Sequence, residues 1–254
     1  MKAGHNGANR TEVVDTKGER MKSRFLLAAV VVLVSVLVAG CGGGSKSTES
    51  GGGGSKKKVT LQLKWVTQAQ FAGYYAAKKK GYYDEEGLDV KIKVGGPSIT
   101  PEQVVLGKQA DFGIDWLPSM LASRDHGQDL VNIAQVFTRS GMLELTWKDS
   151  GITTISQMRG KKVGVWCCGN ENELYAALNK NGMDPKKDVT IVNQPFTMDL
   201  FLQRQVDAAA AMTYNELAQV LETGVKASQI DVIKMQDVGT GMLEDGLFST
   251  GKWL

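Results

Sequence analysis

From Val59 onward, short apolar runs alternate with segments whose apolar residues recur at helical spacing. The apolar runs predict strands and the segments between them predict helices, with Gly182 and Gly224 as C-terminal stops. The predicted strands are 59–65, 88–94, 111–115, 130–137, 162–166, 189–192 and 207–213. The predicted helices are 69–80, 101–108, 117–126, 170–181, 197–204 and 215–223. Such alternation predicts α/β layers with largely parallel pairing.

Two clusters of predicted elements are separated near residues 142–150, and we place a lobe boundary there. The small-residue run "DAAAAMT", residues 207–213, has the composition of a helix, but its position in the alternation favours a strand. Ligands of open α/β sheets bind beyond the carboxyl ends of strands, where helix N-termini offer free N–H donors. The residues that follow each strand are therefore the candidates for a site.

The segment before this alternation has the parts of a secretory signal peptide. Residues 21–24, "MKSR", carry two basic side chains, residues 25–39 are almost entirely apolar, and small residues follow. The apolar run is shorter than the roughly 20 residues that span a membrane. Leu37–Cys41, "LVAGC", resembles the lipobox of bacterial lipoproteins, which implies lipidation of Cys41 and anchoring on the extracytoplasmic side of the cell membrane.

We therefore expect residues 1–40 to be an upstream extension plus a signal peptide, with Met21 as the true start. Residues 41–58 follow as the lipidated cysteine and a Gly/Ser/Lys tether, whose composition predicts a flexible coil. Residues 1–40 hold six of the 30 Lys and Arg and three of the 27 Asp and Glu, so 24 of each remain. This neutral balance argues against a nucleic-acid partner, which would require a basic face.

The stretch "GVWCCGNENEL", residues 164–174, raises the question of cysteine chemistry. His126 is the one histidine after Cys41, so a Cys-His or Ser-His-Asp device has no second base of that type. A structural zinc site needs four ligands, which are not supplied. Neighbouring Cα atoms lie about 3.8 Å apart, below the usual disulfide range of about 4.4–6.8 Å. We expect Cys167 and Cys168 to be free, with no metal and no cofactor.

Aromatic and polar side chains follow four of the predicted strands. Tryptophan and tyrosine offer flat faces for stacking, amides donate and accept hydrogen bonds, and carboxylates accept them. Asp115 has helix capping as an alternative role, Asn215 could be an N-cap, and one of the tyrosines could be core. The candidates are Trp65, Gln68, Tyr74, Asp115, Trp116, Trp166, Asn170, Glu171, Tyr214, Asn215 and Glu216.

Six segments, taken in order, resemble the solute-binding lipoproteins of ABC importers in the superfamily shared with thiamine pyrimidine synthase. They are "LKWVTQAQFAGYYAA", "KGYYDEEGLDV", "GKQADFGIDWLPSML", "MRGKKVGVWCCGNE", "VDAAAAMTYNE" and "GTGMLEDGLFS". The resemblance implies a periplasmic-binding-protein type II fold with two α/β lobes and a hinge. It places lobe 1 at 59–147, lobe 2 at 148–237 and an incomplete return to lobe 1 at 238–254. Because relatives continue beyond "GKWL", a C-terminal truncation is expected.

The resemblance also implies a function and its alternatives. Relatives bind thiamine pyrimidine precursors, formylaminopyrimidine or hydroxymethylpyrimidine, or riboflavin, and deliver the ligand to a membrane permease as monomers. Glu244 and Asp245, on the return segment, are added as contacts to the polar edge of such a ring. One alternative is the synthase, whose cofactor lysine, donor histidine and cysteine motif are missing at 113–119 and 241–246. Another is a sulfonate or taurine receptor, whose anion the carboxylates here would repel.

Overall fold

The computed structural model describes residues 55–254. The signal peptide, the lipidation of Cys41, the start at Met21 and the tether up to residue 54 lie outside the described residues. Within them, no helix is both long and apolar enough to cross a bilayer.

Residues 55–254 contain ten strands, which include all seven that the sequence predicts. Their bounds are β1 Lys57–Gln62, β2 Leu88–Lys93, β3 Phe112–Asp115, β4 Leu130–Gln135, β5 Met142–Trp147, β6 Lys162–Val165, β7 Thr190–Asn193, β8 Ala208–Met212, β9 Ile230–Lys234 and β10 Gly246–Thr250. The small-residue run is β8, a fully buried strand, which confirms the strand prediction over the helical propensity of alanine.

The α-helices lie where the periodicity predicts them, with two short additions, α2 and α8. Their bounds are α1 Ala72–Lys80, α2 Tyr82–Glu85, α3 Pro101–Leu106, α4 Leu117–Asp125, α5 Asn172–Lys180, α6 Asp199–Leu202, α7 Glu216–Glu222 and α8 Met235–Val238. Gly182 and Gly224 follow α5 and α7 with φ of +68° and +96°. Glycine adopts this left-handed backbone at little cost, which confirms both as helix stops.

The strands form two five-stranded sheets. The first has the order β2-β1-β3-β10-β4 and the second the order β7-β6-β8-β5-β9. The chain therefore passes from the first sheet to the second between β4 and β5, and returns between β9 and β10. The two α/β lobes joined by crossing segments confirm the predicted fold class.

The lobe boundary predicted after residue 147 is wrong by one strand. β5 pairs with β8 and with β9, so it belongs to the second sheet and the first crossing precedes Met142. The sequence "MLELTW" conceals this strand because Glu144 interrupts its apolar pattern, although Glu144 is itself fully buried. The prediction of a tether to residue 58 also changes, because Lys57 and Lys58 lie in β1, opposite Leu88 and Asp89.

Pairing is mixed rather than largely parallel. β1 with β2 and β3, and β6 with β7 and β8, are parallel pairs. Each antiparallel pair contains β5 or β10, the first strand after each crossing. Strand-helix-strand units produce the parallel pairs, whereas a strand that enters from the other lobe need not follow that direction.

The largest apolar core is continuous across both lobes. It joins Leu61 and Ile114 of the first sheet to Val165 and Leu174 of the second. Separate smaller cores lie within each lobe, one around Phe201 and one around Phe248. The two lobes are therefore joined by apolar packing as well as by the crossing segments.

Gly113 is required by the packing of β10 against β3. A Cβ atom at Gly113 would lie 2.3 Å from Cζ of the buried Phe248 ring. We expect Gly113→Ala to lower the free energy of unfolding by about 1–3 kcal/mol, the usual cost of overpacking. Urea denaturation of the purified protein measures it. Gly73→Ala is the matched control, because nothing lies within 4 Å of a Cβ there; equal losses in both variants would contradict the packing argument.

Candidate functional site

A pocket opens between the two sheets, at the carboxyl ends of β1, β3, β6 and β8. Each of these strands ends in a loop that supplies pocket residues, as expected for an open α/β sheet. The lining residues are Lys64, Trp65, Gln68, Gln70, Trp116, Trp166, Asn170, Met212, Tyr214 and Glu216.

Three tryptophans and a tyrosine form the walls of this pocket. Trp65, Trp116 and Trp166 are at most 7% exposed, although all three lie in loops just after strands. The rings of Trp65 and Trp166 meet edge to face, with centroids 6.1 Å apart, and so connect the lobes. Trp166 is held by its Nε1, which donates to the carbonyl of Pro195 at 3.0 Å. These walls present flat apolar faces to a ligand.

A buried ion pair lies at the base of the pocket. The Lys64 ammonium is 2.9 Å from Oδ1 of Asp115, and both side chains are almost fully buried. The same ammonium donates to the carbonyl of Cys168 in the other lobe at 3.3 Å. Asp115 Oδ1 also accepts the backbone N–H of Trp116 at 2.6 Å. Asp115 is thus an ion-pair partner of Lys64 and is not among the residues that line the pocket.

Glu102 is a further buried acid beside this pair. Burial and, to a smaller extent, the Asp115 carboxylate raise the pKa of Glu102 to about 8, against the opposing effect of the Lys64 charge. A neutral Glu102 leaves Lys64 and Asp115 as a balanced pair, because a second unpaired carboxylate at this depth would be costly.

The polar edge of the pocket is formed by amides and one carboxylate. Glu216 Oε2 accepts the backbone N–H of Met212 at 2.9 Å, and Oε1 accepts from Asn215 Nδ2 at 2.7 Å. Burial raises the pKa of Glu216, while the hydrogen bonds from Asn215, Met212 and Gln68 lower it. Asn215 serves to position Glu216 and does not line the pocket.

A second group of acids lies where the two crossing segments meet. Glu244 Oε1 accepts the backbone N–H of Gly141 at 2.7 Å and the hydroxyl of Ser140 at 3.2 Å. The same hydroxyl lies 2.7 Å from Oε2 of Glu173 on α5. Burial raises the pKa of Glu244 to about 8 and that of Glu173 to about 7.

Asp245 continues this acidic group toward lobe 1. Burial raises its pKa to about 7, with Asp115 adding to the shift and Gln70 and Lys64 opposing it. Burial together with Asp245 raises the pKa of Tyr74 and of Tyr214. Tyr214 lines the pocket, whereas Tyr74, Glu244 and Asp245 are not among its lining residues.

The structure brings together seven of the residues that the sequence predicts for a site: Trp65, Gln68, Trp116, Trp166, Asn170, Tyr214 and Glu216. Glu171 does not join them, because its Oε2 accepts the backbone N–H of Gly169 at 2.9 Å within its own loop. Lys64, Gln70 and Met212 line the pocket without having been predicted. The position of Lys64 just after β1 could have indicated it, but a lysine in an apolar strand context is usually assigned to the surface.

The two cysteines are not free. Cys167 and Cys168 form a disulfide between adjacent residues, with Cα atoms 3.8 Å apart. The expectation of free thiols rested on the Cα range of disulfides between separate segments. The ring closes here with Cys168 in the left-handed region, at φ +68°. Within residues 55–254, no group of three or more His, Cys, Asp or Glu is arranged to hold a metal ion.

Comparisons with known proteins agree with this architecture. The chain is 24% identical to a "Putative thiamine biosynthesis protein" of Haemophilus influenzae, over 66% of the chain and 55% of the relative. It is 25% identical to the riboflavin-binding protein RibY of Chloroflexus aurantiacus, over 71% of the chain and 52% of the relative. The chain thus spans about half the length of these curated relatives.

The periplasmic aliphatic sulphonate binding protein SsuA of Escherichia coli has a similar fold. Its structure superposes with a TM-score of 0.61 at 18% identity, covering 78% of this chain and 67% of SsuA. At this identity the similarity establishes the fold, which is that of periplasmic solute-binding proteins. The sequence profile of a family described as "NMT1/THI5 like" matches residues 68–254, and the chain therefore belongs to the NMT1/THI5-like family.

Proposed function

We propose that this protein is the extracytoplasmic solute-binding lipoprotein of an ABC importer and that it captures a planar nitrogen heterocycle. The observation that carries the proposal is the pocket between the lobes, where three buried tryptophans and Tyr214 surround Gln68, Asn170 and Glu216. Aromatic faces stack on a flat ring, and the amides and the carboxylate match its donors and acceptors. The protein is a monomer that passes the ligand to a membrane permease and performs no chemistry on it.

The ligand is a thiamine pyrimidine precursor, formylaminopyrimidine or hydroxymethylpyrimidine, with riboflavin as the alternative. The names of the Haemophilus and Chloroflexus relatives support these two classes.

The charge of the pocket disfavours a sulfonate. Lys64 is the basic residue among the described residues that line the pocket, and its ammonium is already paired with Asp115. Glu216 and the acids behind Tyr214 would repel an anion or would have to remain protonated beside it. The fold shared with SsuA therefore supports the binding-protein class without supporting its ligand.

Synthase activity is the remaining alternative. The segment that matches the cofactor lysine and donor histidine of the synthase does not support it. Residues 113–119 contain neither lysine nor histidine, and they form the end of β3 and the start of α4. Asp115 in this segment is committed to Lys64. The segment therefore supports the pocket structurally, which agrees with capture of a ligand.

Ligand binding should quench tryptophan fluorescence, because the three pocket tryptophans would contact the ring. Titration of the purified protein with hydroxymethylpyrimidine, formylaminopyrimidine and riboflavin is expected to give dissociation constants of about micromolar or below for at least one compound. Trp166→Phe should reduce the amplitude of quenching, whereas Trp253→Phe, at an exposed position, should leave it unchanged. A folded protein that binds none of the three contradicts the proposal.

A substitution at Glu216 tests whether the polar edge of the pocket contacts the ligand. Because its carboxylate lines the pocket, Glu216→Gln should weaken binding of the responding compound by about tenfold or more, as for loss of a charge-assisted hydrogen bond. Glu222→Gln is the control, on the exposed end of the same helix α7, and should leave the affinity unchanged. Isothermal titration calorimetry compares the two. Equal affinities for Glu216→Gln and the unaltered protein would exclude Glu216 from the contact.

The buried acids predict a pH dependence of stability without ligand. The pKa values of Glu173, Asp245 and Glu244 are raised to about 7, 7 and 8, above those of the unfolded chain. At a pH between the unfolded-state and folded-state pKa values of these acids, the folded protein binds more protons than the unfolded chain. The contribution of these acids to the free energy of unfolding therefore falls as pH rises through this range.

Urea denaturation should accordingly show lower stability at about pH 8.5 than at about pH 6. Glu244→Gln should reduce this difference, because the amide does not titrate, whereas Glu222→Gln should preserve it. Stability that rises over this interval in the unaltered protein, with Glu244→Gln behaving identically, would contradict the assignment.

A further inference from the structure

The Cys167–Cys168 disulfide lies in the β6–α5 loop, against the pocket. The carbonyls of both cysteines accept hydrogen bonds from pocket-lining side chains. Lys64 Nζ donates to the Cys168 carbonyl at 3.3 Å, and Asn170 Nδ2 donates to the Cys167 carbonyl at 2.7 Å. The conformation of this small ring therefore sets the positions of two acceptors on which pocket side chains depend.

The same loop is a contact of lobe 2 with lobe 1. The Cys167 sulfur lies 3.8 Å from the carbonyl oxygen of Pro97, in the loop after β2. Gly169 lies against α4, where a Cβ atom at Gly169 would be 2.1 Å from Ser119 Oγ. With Lys64, these contacts join three consecutive loop residues to three separate segments of lobe 1.

Closure of the ring coincides with an unusual backbone. Cys168 has φ of +68°, followed by Gly169 at +99°. A non-glycine residue in the left-handed region is disfavoured by about 1–2 kcal/mol. Once the bond is broken, nothing in the side chain of Cys168 retains this conformation, and the carbonyl that Lys64 uses is free to turn.

We propose that the Cys167–Cys168 disulfide is a site of reversible thiol–disulfide exchange with a dithiol, and that its redox state controls how firmly the 166–170 loop holds the lobes together over the pocket. Cys168 is exposed and Cys167 is half-buried, so the bond is accessible to a protein or small-molecule dithiol. In the oxidised protein the 166–170 loop keeps its contacts with lobe 1, and in the reduced protein these contacts weaken. The consequence for ligand affinity rests on the proposed function, whereas the change in lobe contacts does not.

Reduction of the Cys167–Cys168 disulfide needs only the dithiol as reactant. A thiolate of the dithiol attacks one cysteine sulfur, and the Cys167–Cys168 bond breaks to give a mixed disulfide and one cysteine thiolate. The second thiol of the reductant then displaces the other cysteine. Two electrons and two protons pass to the protein, which holds two thiols, and the reductant becomes a disulfide.

The first test uses the full-length protein without ligand. Dithiothreitol should release two additional alkylatable thiols, counted by mass spectrometry. Hydrogen–deuterium exchange should then rise by about threefold or more in residues 95–100 and 116–120, which contact the loop, and stay unchanged in β7, away from it. Released thiols with no change in either lobe 1 segment would overturn the proposal. So would resistance to dithiothreitol, or a uniform rise that includes β7.

Two variants separate the covalent bond from the conformation it holds. Cys167→Ser/Cys168→Ser should show the hydrogen–deuterium exchange of the reduced protein, and dithiothreitol should not change it. Cys167→Ser/Cys168→Gly lacks the bond, but glycine accepts the left-handed backbone, so it should exchange more slowly than the serine pair in residues 95–100. Identical exchange in the two variants would overturn the conformational argument.

The second test measures binding of hydroxymethylpyrimidine, formylaminopyrimidine and riboflavin by tryptophan fluorescence. Reduction should weaken the binding by about tenfold, the scale set by holding a non-glycine residue left-handed. Unchanged affinity in the reduced protein would overturn the link to the pocket. If none of the three compounds binds in either redox state, the proposed function fails, while the hydrogen–deuterium exchange experiment still decides whether the disulfide is a redox site.

Discussion

The arrangement of the pocket depends on one buried ammonium group. Lys64 is surrounded by the carboxylate of Asp115 in its own lobe and by the carbonyl of Cys168 in the other, and it is 2% exposed. A lysine at this depth is tolerated only with such partners, because an unpaired buried charge is far more costly than a paired one. Its requirement for both partners links the end of β1, the end of β3 and the loop after β6 at one point.

The acids around this pair follow from the same constraint. A single buried ammonium can balance a single buried carboxylate, so the neighbouring acids cannot all be ionised at depth. Burial is the main cause of the raised pKa values of Glu102, Glu173, Glu244 and Asp245, and neighbouring carboxylates add to it at Glu102, Glu244 and Asp245. Protonated carboxyl groups, which donate hydrogen bonds, therefore lie close to carboxylate and amide oxygens, which accept them. This chemistry suits a ligand with ring N–H or amino donors and is unsuited to an anion.

The polar contacts between the two lobes lie mainly on the crossing segments and on the loop after β6. Ser140 and Glu244 connect the two crossings through their side chains, and the cysteine pair connects the lobes on the pocket side. The two connections differ in chemistry, since one depends on protonation and the other on a covalent bond. In the proposed function, both act on the closure that encloses the ligand.

The sequence by itself determined the alternation of strands and helices, the position of the aromatic residues at strand ends and the class of fold, because these depend on local periodicity and order along the chain. Tertiary structure alone decided the rest. β5 was hidden because Glu144 appears polar until its burial is seen. The role of Lys64 required a partner 51 residues away, and another 104 residues away, which no local pattern reports. The disulfide required a left-handed Cys168, a backbone state that residue spacing does not encode.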